Sequence, residues 1–367
     1  MVVQLFYAAY YFWPFARRPD EAPADAPGPD SEPVSIVVCA RNELDNLRQL
    51  LPLLLKQDYP GEFEIVLIDD RSEDDTYLYA QQLAQYYPNK VRLVSIARTP
   101  NGFAPKKYAL TLGIKSTRHQ RLLFTDADCI PATNQWLRLM QRGFSHGRRG
   151  QPADLVLGFS AYTEEPGFLN QLIRYETLLT AAQYLCFAWR GRAYMGVGRN
   201  LAYTRGCFTA TTGFASHIRQ LSGDDDLLVQ DAVRQGQRVG VVADASAHTL
   251  SAPARTWAAW WRQKRRHLSA GRAYKFADRL RLGIFIAANV LFYGAAIGLV
   301  FSPNNWIPLA VVYALRTLFV SAVYARLSRR LHQSVAIGLL SVLDLVYFSL
   351  YLALGISLFL NRTLRWK

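Results

Sequence analysis

Two carboxylates spaced two residues apart, Asp126 and Asp128, close the apolar run at residues 122–125. On an extended strand they would project together while Ala127 points away. Paired like charges call for a cation or a proton, and oxygen-only ligands suit a hard divalent ion that also holds phosphates. Alone, Asp-Ala-Asp fits a strand end followed by a polar turn equally well. Further acids recur at comparable places: Asp69 and Asp70 end the apolar run at residues 65–68, and Asp224, Asp225 and Asp226 stand together ahead of another apolar stretch. Three adjacent acids also suit a helix start, where the helix dipole favours negative charge.

The elements that would position these acids alternate in type. Residues 35–40 read as a buried parallel strand, 41–43 as a polar turn and the stretch through Gln57 as a helix. Residues 64–70 form a second strand, with Ser72 expected to cap the helix that follows. Residues 91–96 are expected as a third strand, 106–116 as a helix and 121–125 as a fourth strand. This rhythm predicts a mostly parallel, Rossmann-like α/β sheet flanked by helices, whose ligands bind at the strands' carboxyl ends. Asp69, Asp70, Asp126 and Asp128 all fall on that rim.

The motifs Val34-Ser-Ile-Val-Val-Cys-Ala-Arg-Asn-Glu43, Ile68-Asp-Asp-Arg-Ser72, Lys106-Lys-Tyr-Ala-Leu110 and Thr125-Asp-Ala-Asp128 resemble, in order and spacing, those of family 2 glycosyltransferases of the GT-A fold. Gly223-Asp-Asp-Asp-Leu-Leu228 is similar to that family's Glu-Asp signature, and Gln263-Lys-Arg-Arg-His267 to its Gln-x-x-Arg-Trp motif, with His267 in place of Trp. The resemblance covers roughly residues 34–280 and is nearest to membrane-anchored bacterial members, with some likeness to ceramide glucosyltransferases. It implies an inverting, metal-dependent hexosyltransferase that uses a nucleotide sugar, expected to be UDP-linked, and a membrane-associated lipid or glycan acceptor. Ala40, Glu43, Asp69 and Asp70 would then lie by the nucleoside and Lys106 by the diphosphate. Asp126 and Asp128 would hold Mg²⁺ or Mn²⁺, Asp225 would be the base with Asp224 and Asp226 beside it, and Gln263, Arg266 and His267 would face the diphosphate or the acceptor. A processive polysaccharide synthase and a non-catalytic nucleotide-binding membrane protein are the competing readings. By default, Lys106 or Lys107 would be a solvated surface charge.

Hydropathy divides the 367 residues, of which 51% are apolar. Residues 1–33 read as an apolar anchor, too short to span comfortably, with a Pro-rich tether from Asp20 to Pro33. Residues 34–256 form the expected catalytic domain, 257–281 a basic amphipathic interfacial helix and 282–367 a transmembrane region. Three spans are expected, at 282–302, 306–325 and 335–360, joined by an uncharged turn at 302–305 and a basic loop at 326–332. Within them Arg316 and Asp344 are expected to pair or to line a lipid-facing groove. The net charge of +14 concentrates just before the first span, which favours a membrane surface over nucleic acid. The bias of basic residues fits a catalytic part on the cytoplasmic side, and the resemblance to bacterial members implies that the membrane is a bacterial inner membrane. Arg262, Lys264 and Arg265 are then expected to meet lipid headgroups. A helix at residues 169–188 either belongs to a core or lies along the bilayer, and Gly196-Val-Gly198-Arg-Asn200 is a tight loop able to approach a sugar. Cys39, Cys129, Cys186 and Cys207 show no CxxC spacing and no paired framework, so neither a zinc site nor a disulfide scaffold is indicated.

Overall fold

The computed structural model describes residues 1–18, 31–145, 147, 150–301 and 306–360. Most of the expected tether, the turn at 302–305 and the tail from 361 lie outside the described residues. The chain forms two compact units: Asp20–Thr163 with Gly191–Ala252, and Met1–Pro19 with Glu164–Arg190 and Pro253–Lys367. The second unit draws its middle segment from within the 34–256 stretch.

The first unit is built on a seven-stranded sheet in the order β3-β2-β1-β4-β8-β6-β9. Its strands are β1 (Val34–Ala40), β2 (Phe63–Asp70), β3 (Val91–Ile96), β4 (Arg121–Asp126), β6 (Leu155–Leu157), β8 (Leu201–Thr204) and β9 (Val239–Val241). All run parallel except β8, which is antiparallel to both β4 and β6. Strands β5 (Cys129–Pro131), β7 (Ser160–Tyr162) and β10 (Thr249–Ser251) make a second sheet in the order β5-β10-β7. The continuous apolar runs seen in the sequence are buried on both faces, as strands in the middle of an α/β sandwich must be. Val34, Ile36, Val38, Ile65, Leu67 and Leu123 pack against Leu47, Leu50, Leu51 and Leu54 of helix Leu44–Leu55 and against Trp136 and Met140 of helix Trp136–Ser145. Chain order reverses between β1 and β4, and there a crevice opens at the carboxyl ends of the strands.

Two local expectations change. Ser72 does not cap a helix: its hydroxyl accepts from the Asn42 N–H at 3.0 Å, and the helix begins at Thr76 with Asp75 at its cap position. The β4 strand ends at Asp126, so strict strand alternation does not reach Asp128, which lies in a turn.

Among the described residues, the second unit holds three helices long and apolar enough to cross a membrane: Phe276–Val300, Trp306–Arg330 and Ile337–Leu360. Helix Phe168–Trp189 packs with the last two, and most of its side chains are buried. The residues expected as a basic loop continue the second apolar helix as far as Arg330, because the Arg326 and Arg330 guanidiniums stack on Trp13 and Phe15 of the N-terminal helix. That N-terminal helix is seated on its neighbours, with Tyr7, Tyr11, Phe12 and Phe15 buried. Arg316 and Asp344 do pair, at 2.6 Å. Asp344 also accepts from the Tyr175 and Tyr293 hydroxyls, and Arg316 donates to Asn289.

Candidate active site

At the β1–β4 switch, register sets Ala40 beside Asp69 and Cys39 beside Asp126. The loop after β1 and the loop after β2 are tied together. Asn42 and Arg71 both adopt left-handed backbone angles, φ 55° and 58°. Asn tolerates that region, but Arg does so at a cost in strain. Cross-bonds hold the pair of turns in place: Asn42 Oδ1 accepts from the Glu73 N–H at 2.7 Å, and Thr76 Oγ1 from the Glu43 N–H at 2.9 Å. Asp70 is buried and bonded to Arg71 Nε at 2.8 Å, whereas the buried Oδ1 of Asp69 has no hydrogen-bond partner. Glu43 accepts from Asn46, and its partial burial raises its pKa despite that bond.

Lys106 is the hub. Helix Pro105–Ser116 brings its ammonium to Asp126 Oδ1 at 3.0 Å and to Asp224 Oδ2 at 3.1 Å, joining the strand-end carboxylate to the acidic triplet. Burial alone would raise the Asp224 carboxyl, but the charge and hydrogen bond of Lys106 outweigh it and hold the group below the ordinary value. Burial likewise works against the Lys106 charge, and Asp126, Asp224 and Asp225 overcome it. Lys107 is not solvated either. At 1% exposure, it donates to the carbonyls of His217 and Ser222 at 2.9 and 3.0 Å, fixing the loop that leads into the triplet. Burial lowers its pKa to about 8.

Asp225 sits at the head of helix Asp226–Arg234. Its Oδ1 accepts from the Asp226 N–H and its Oδ2 from the Gly198 N–H, each at 2.8 Å. Burial and the adjacent Asp224 charge push its pKa up to about 6, against the pull of Lys106 and of the two amides. Asp224, Asp225, Asp126 and Lys106 line one small cavity of about 20 Å³, room for a single water, floored by Val37, Phe124 and Leu201.

The turn that reaches Asp225 is fixed by Asn200, fully buried at 0% exposure. Its amide donates to the carbonyls of Phe159 and Ala247 and accepts from Trp136 Nε1, at 2.8, 2.8 and 3.0 Å. A Cβ on Gly158 would come within 2.5 Å of that amide, so this close approach requires glycine. The sequence shows the tight glycine turn that contains Asn200 but not the anchoring roles of Asn200 and Trp136, although an Asn directly after a tight glycine turn is the trace such an anchor leaves.

Asp126 is partly exposed and Asp128 is exposed, accepting a long contact from Cys129 Sγ. Among the described residues no group of three or more His, Cys, Asp or Glu gathers to hold an ion. Two carboxylates on an open rim nevertheless fit a hard cation that takes its remaining ligands from substrate phosphates. Gln263, Arg266 and His267 lie on helix Trp257–Ala270 of the other unit. In that unit the expected headgroup contact by Lys264 is corrected: it is 8% exposed and bonded to the buried carboxylate of Glu176 at 2.9 Å. Trp260 Nε1 and the Tyr351 hydroxyl donate to the same carboxylate.

Comparison with known proteins agrees with this architecture. The model of Glycosyltransferase like family 2 matches residues 29–270. A probable glycosyltransferase of Bacillus subtilis, YdaM, is 26% identical over 242 residues, covering 64% of this chain and 54% of that protein. Glycosyltransferase AglE of Haloferax volcanii is 31% identical over 135 residues, covering 36% and 41%. The chain thus spans about half the length of the relatives it matches. Among solved structures, a mannosyltransferase from Pyrobaculum calidifontis in complex with GDP-Man and Mn²⁺ superposes with a TM-score of 0.54 at 19% identity, covering 98% of this chain and 90% of that one. That likeness shows a shared GT-A fold.

Proposed function

The chain belongs to glycosyltransferase family 2, and from that premise we propose that it transfers a hexose from a nucleotide sugar to a membrane-associated acceptor with inversion at the anomeric carbon. The observation that carries this reading is the Lys106 hub, which ties a strand-end carboxylate to Asp224 while the neighbouring Asp225 is kept basic enough to take a proton. The buried pair Asp69 and Asp70 would receive the base, the unpartnered Oδ1 of Asp69 being a free acceptor for an N–H donor. Lys106 would turn its charge from Asp126 to the diphosphate as the donor enters. Asp126 and Asp128 would hold a divalent ion, Mg²⁺ or Mn²⁺, which when bound neutralises charge on the diphosphate.

Asp225 would accept the proton of the acceptor hydroxyl. A carboxyl raised to about 6 is better matched to that task at neutral pH than an ordinary aspartate. The bonds from Gly198 and Asp226 orient it and still leave lone pairs free. Three apolar helices and the basic stretch before them support an acceptor at the cytoplasmic face of a membrane. The test is to incubate the purified chain with a panel of nucleotide sugars and a lipid extract, with and without Mn²⁺, and to identify products by mass spectrometry. A new glycolipid that disappears with Asp225→Asn is expected; unchanged turnover in that variant overturns the assignment of the base.

A further inference from the structure

Arg199 brings to this rim a cation that the steps above leave unused. Its guanidinium lies over the Tyr162 ring at 4.5 Å, and its Nη1 is buried with no hydrogen-bond partner. Leaving a charged donor without an acceptor is costly, so the position has to be imposed by its surroundings. It is imposed by the turn. On one side Gly198 is bonded to Asp225, on the other Asn200 is locked by three buried hydrogen bonds, and the carbonyl of Arg199 itself accepts from Thr249 Oγ1 at 3.0 Å.

The row beneath the guanidinium indicates where it faces. Tyr162 pairs with Ser251 across β7 and β10, and Ser251 pairs with Cys129 across β10 and β5, one residue beyond Asp128. The electrostatics agree. Burial opposes the Arg199 charge, and the carboxylates of Asp126 and Asp128 act in the other direction and favour it. The two carboxylates do not consume that charge once a divalent ion cancels theirs. What remains to answer it is an anion arriving with substrate, and a planar guanidinium matches phosphate oxygens in geometry as well as charge.

We propose that Arg199 is a phosphate-binding residue of this site, donating to an oxygen either of the donor's diphosphate or of a phosphate carried by the acceptor. This rests on the donor site placed above at Asp126 and Asp128. The turn holds the fork ready, so little side-chain freedom is lost when the anion binds.

The test uses the full chain with Mn²⁺ and compares wild type, Arg199→Lys and Arg199→Met, with thermal unfolding as the check of folding. Calorimetry measures binding of UDP, GDP and their monophosphates, and initial rates give KM for a polyprenyl phosphate. If the phosphate is the donor's, Arg199→Met weakens the diphosphates by about tenfold or more and the monophosphates far less, with Arg199→Lys intermediate. If it is the acceptor's, diphosphate binding is unchanged and KM for polyprenyl phosphate rises by about as much. A folded Arg199→Met that matches wild type in both measurements overturns the proposal. Failure of the wild type to bind either diphosphate overturns the donor site itself, a different outcome.

Discussion

The proposed role of Asp225 as base makes its titration a test of the site. Its pKa is raised to about 6, so a base at this position would be protonated below that pH and ionised above it. Turnover should therefore fall as pH drops through about 6 and level off above it, and a profile of kcat against pH checks this. Lys106 opposes the rise. Lys106→Met should move the acidic limb to higher pH in whatever activity remains, and a limb that stays in place would separate the two residues. The carboxylates themselves were legible in the sequence, because acids at successive strand ends are rare without a ligand to meet. Lys106 was legible only through the family resemblance and Lys107 was not legible at all. Nothing local distinguishes Lys107 from a solvated surface charge, since the carbonyls of His217 and Ser222 come from remote parts of the chain.

At the scale of elements, Asn200 anchors the 198–200 turn and Glu176 anchors helix Trp257–Ala270 through buried polar bonds. Asn200→Ala would strand the Trp136 indole N–H and two carbonyls in the core. It should lower stability by about 3 kcal/mol, read from chemical unfolding. For the helix, Glu176→Gln leaves the Lys264 charge buried without its counter-charge. A loss of about 3–5 kcal/mol is expected, and adding Lys264→Met should recover most of it, as thermal unfolding would show. Strands β1 to β4 were readable because continuous apolar runs bounded by polar turns have few other solutions. The short strands β5 to β10 were not, since three or four residues carry too little pattern and take their conformation from their neighbours. Lys264 was misread because a basic stretch beside an apolar run looks the same whether it faces lipid or a carboxylate in another helix.

Across the whole molecule, the three apolar helices were visible from length and hydropathy alone, and the pairing of Arg316 with Asp344 followed from the cost of isolated charge among apolar helices. Removing one partner should destabilise the chain by about 3–5 kcal/mol, whereas Arg316→Met with Asp344→Leu should be tolerated far better. Melting curves in detergent would show the contrast. The seating of the N-terminal helix was not legible, because Gln4 bonds to Asn289 some 285 residues away. The division of the chain into two interleaved units also bears on biosynthesis. Strands β1 to β4 pair among themselves within the first third of the chain, but β8 and β9 lie beyond the segment Glu164–Arg190 that belongs to the other unit. A ribosome therefore releases half of the sheet, then a long apolar helix, and only afterwards the strands that cover the open edge of β4. Until they arrive that edge is a ready template for pairing with other chains. The nascent protein is thus most exposed to aggregation in the interval between β4 and β8, when a chaperone or the membrane surface has most to protect.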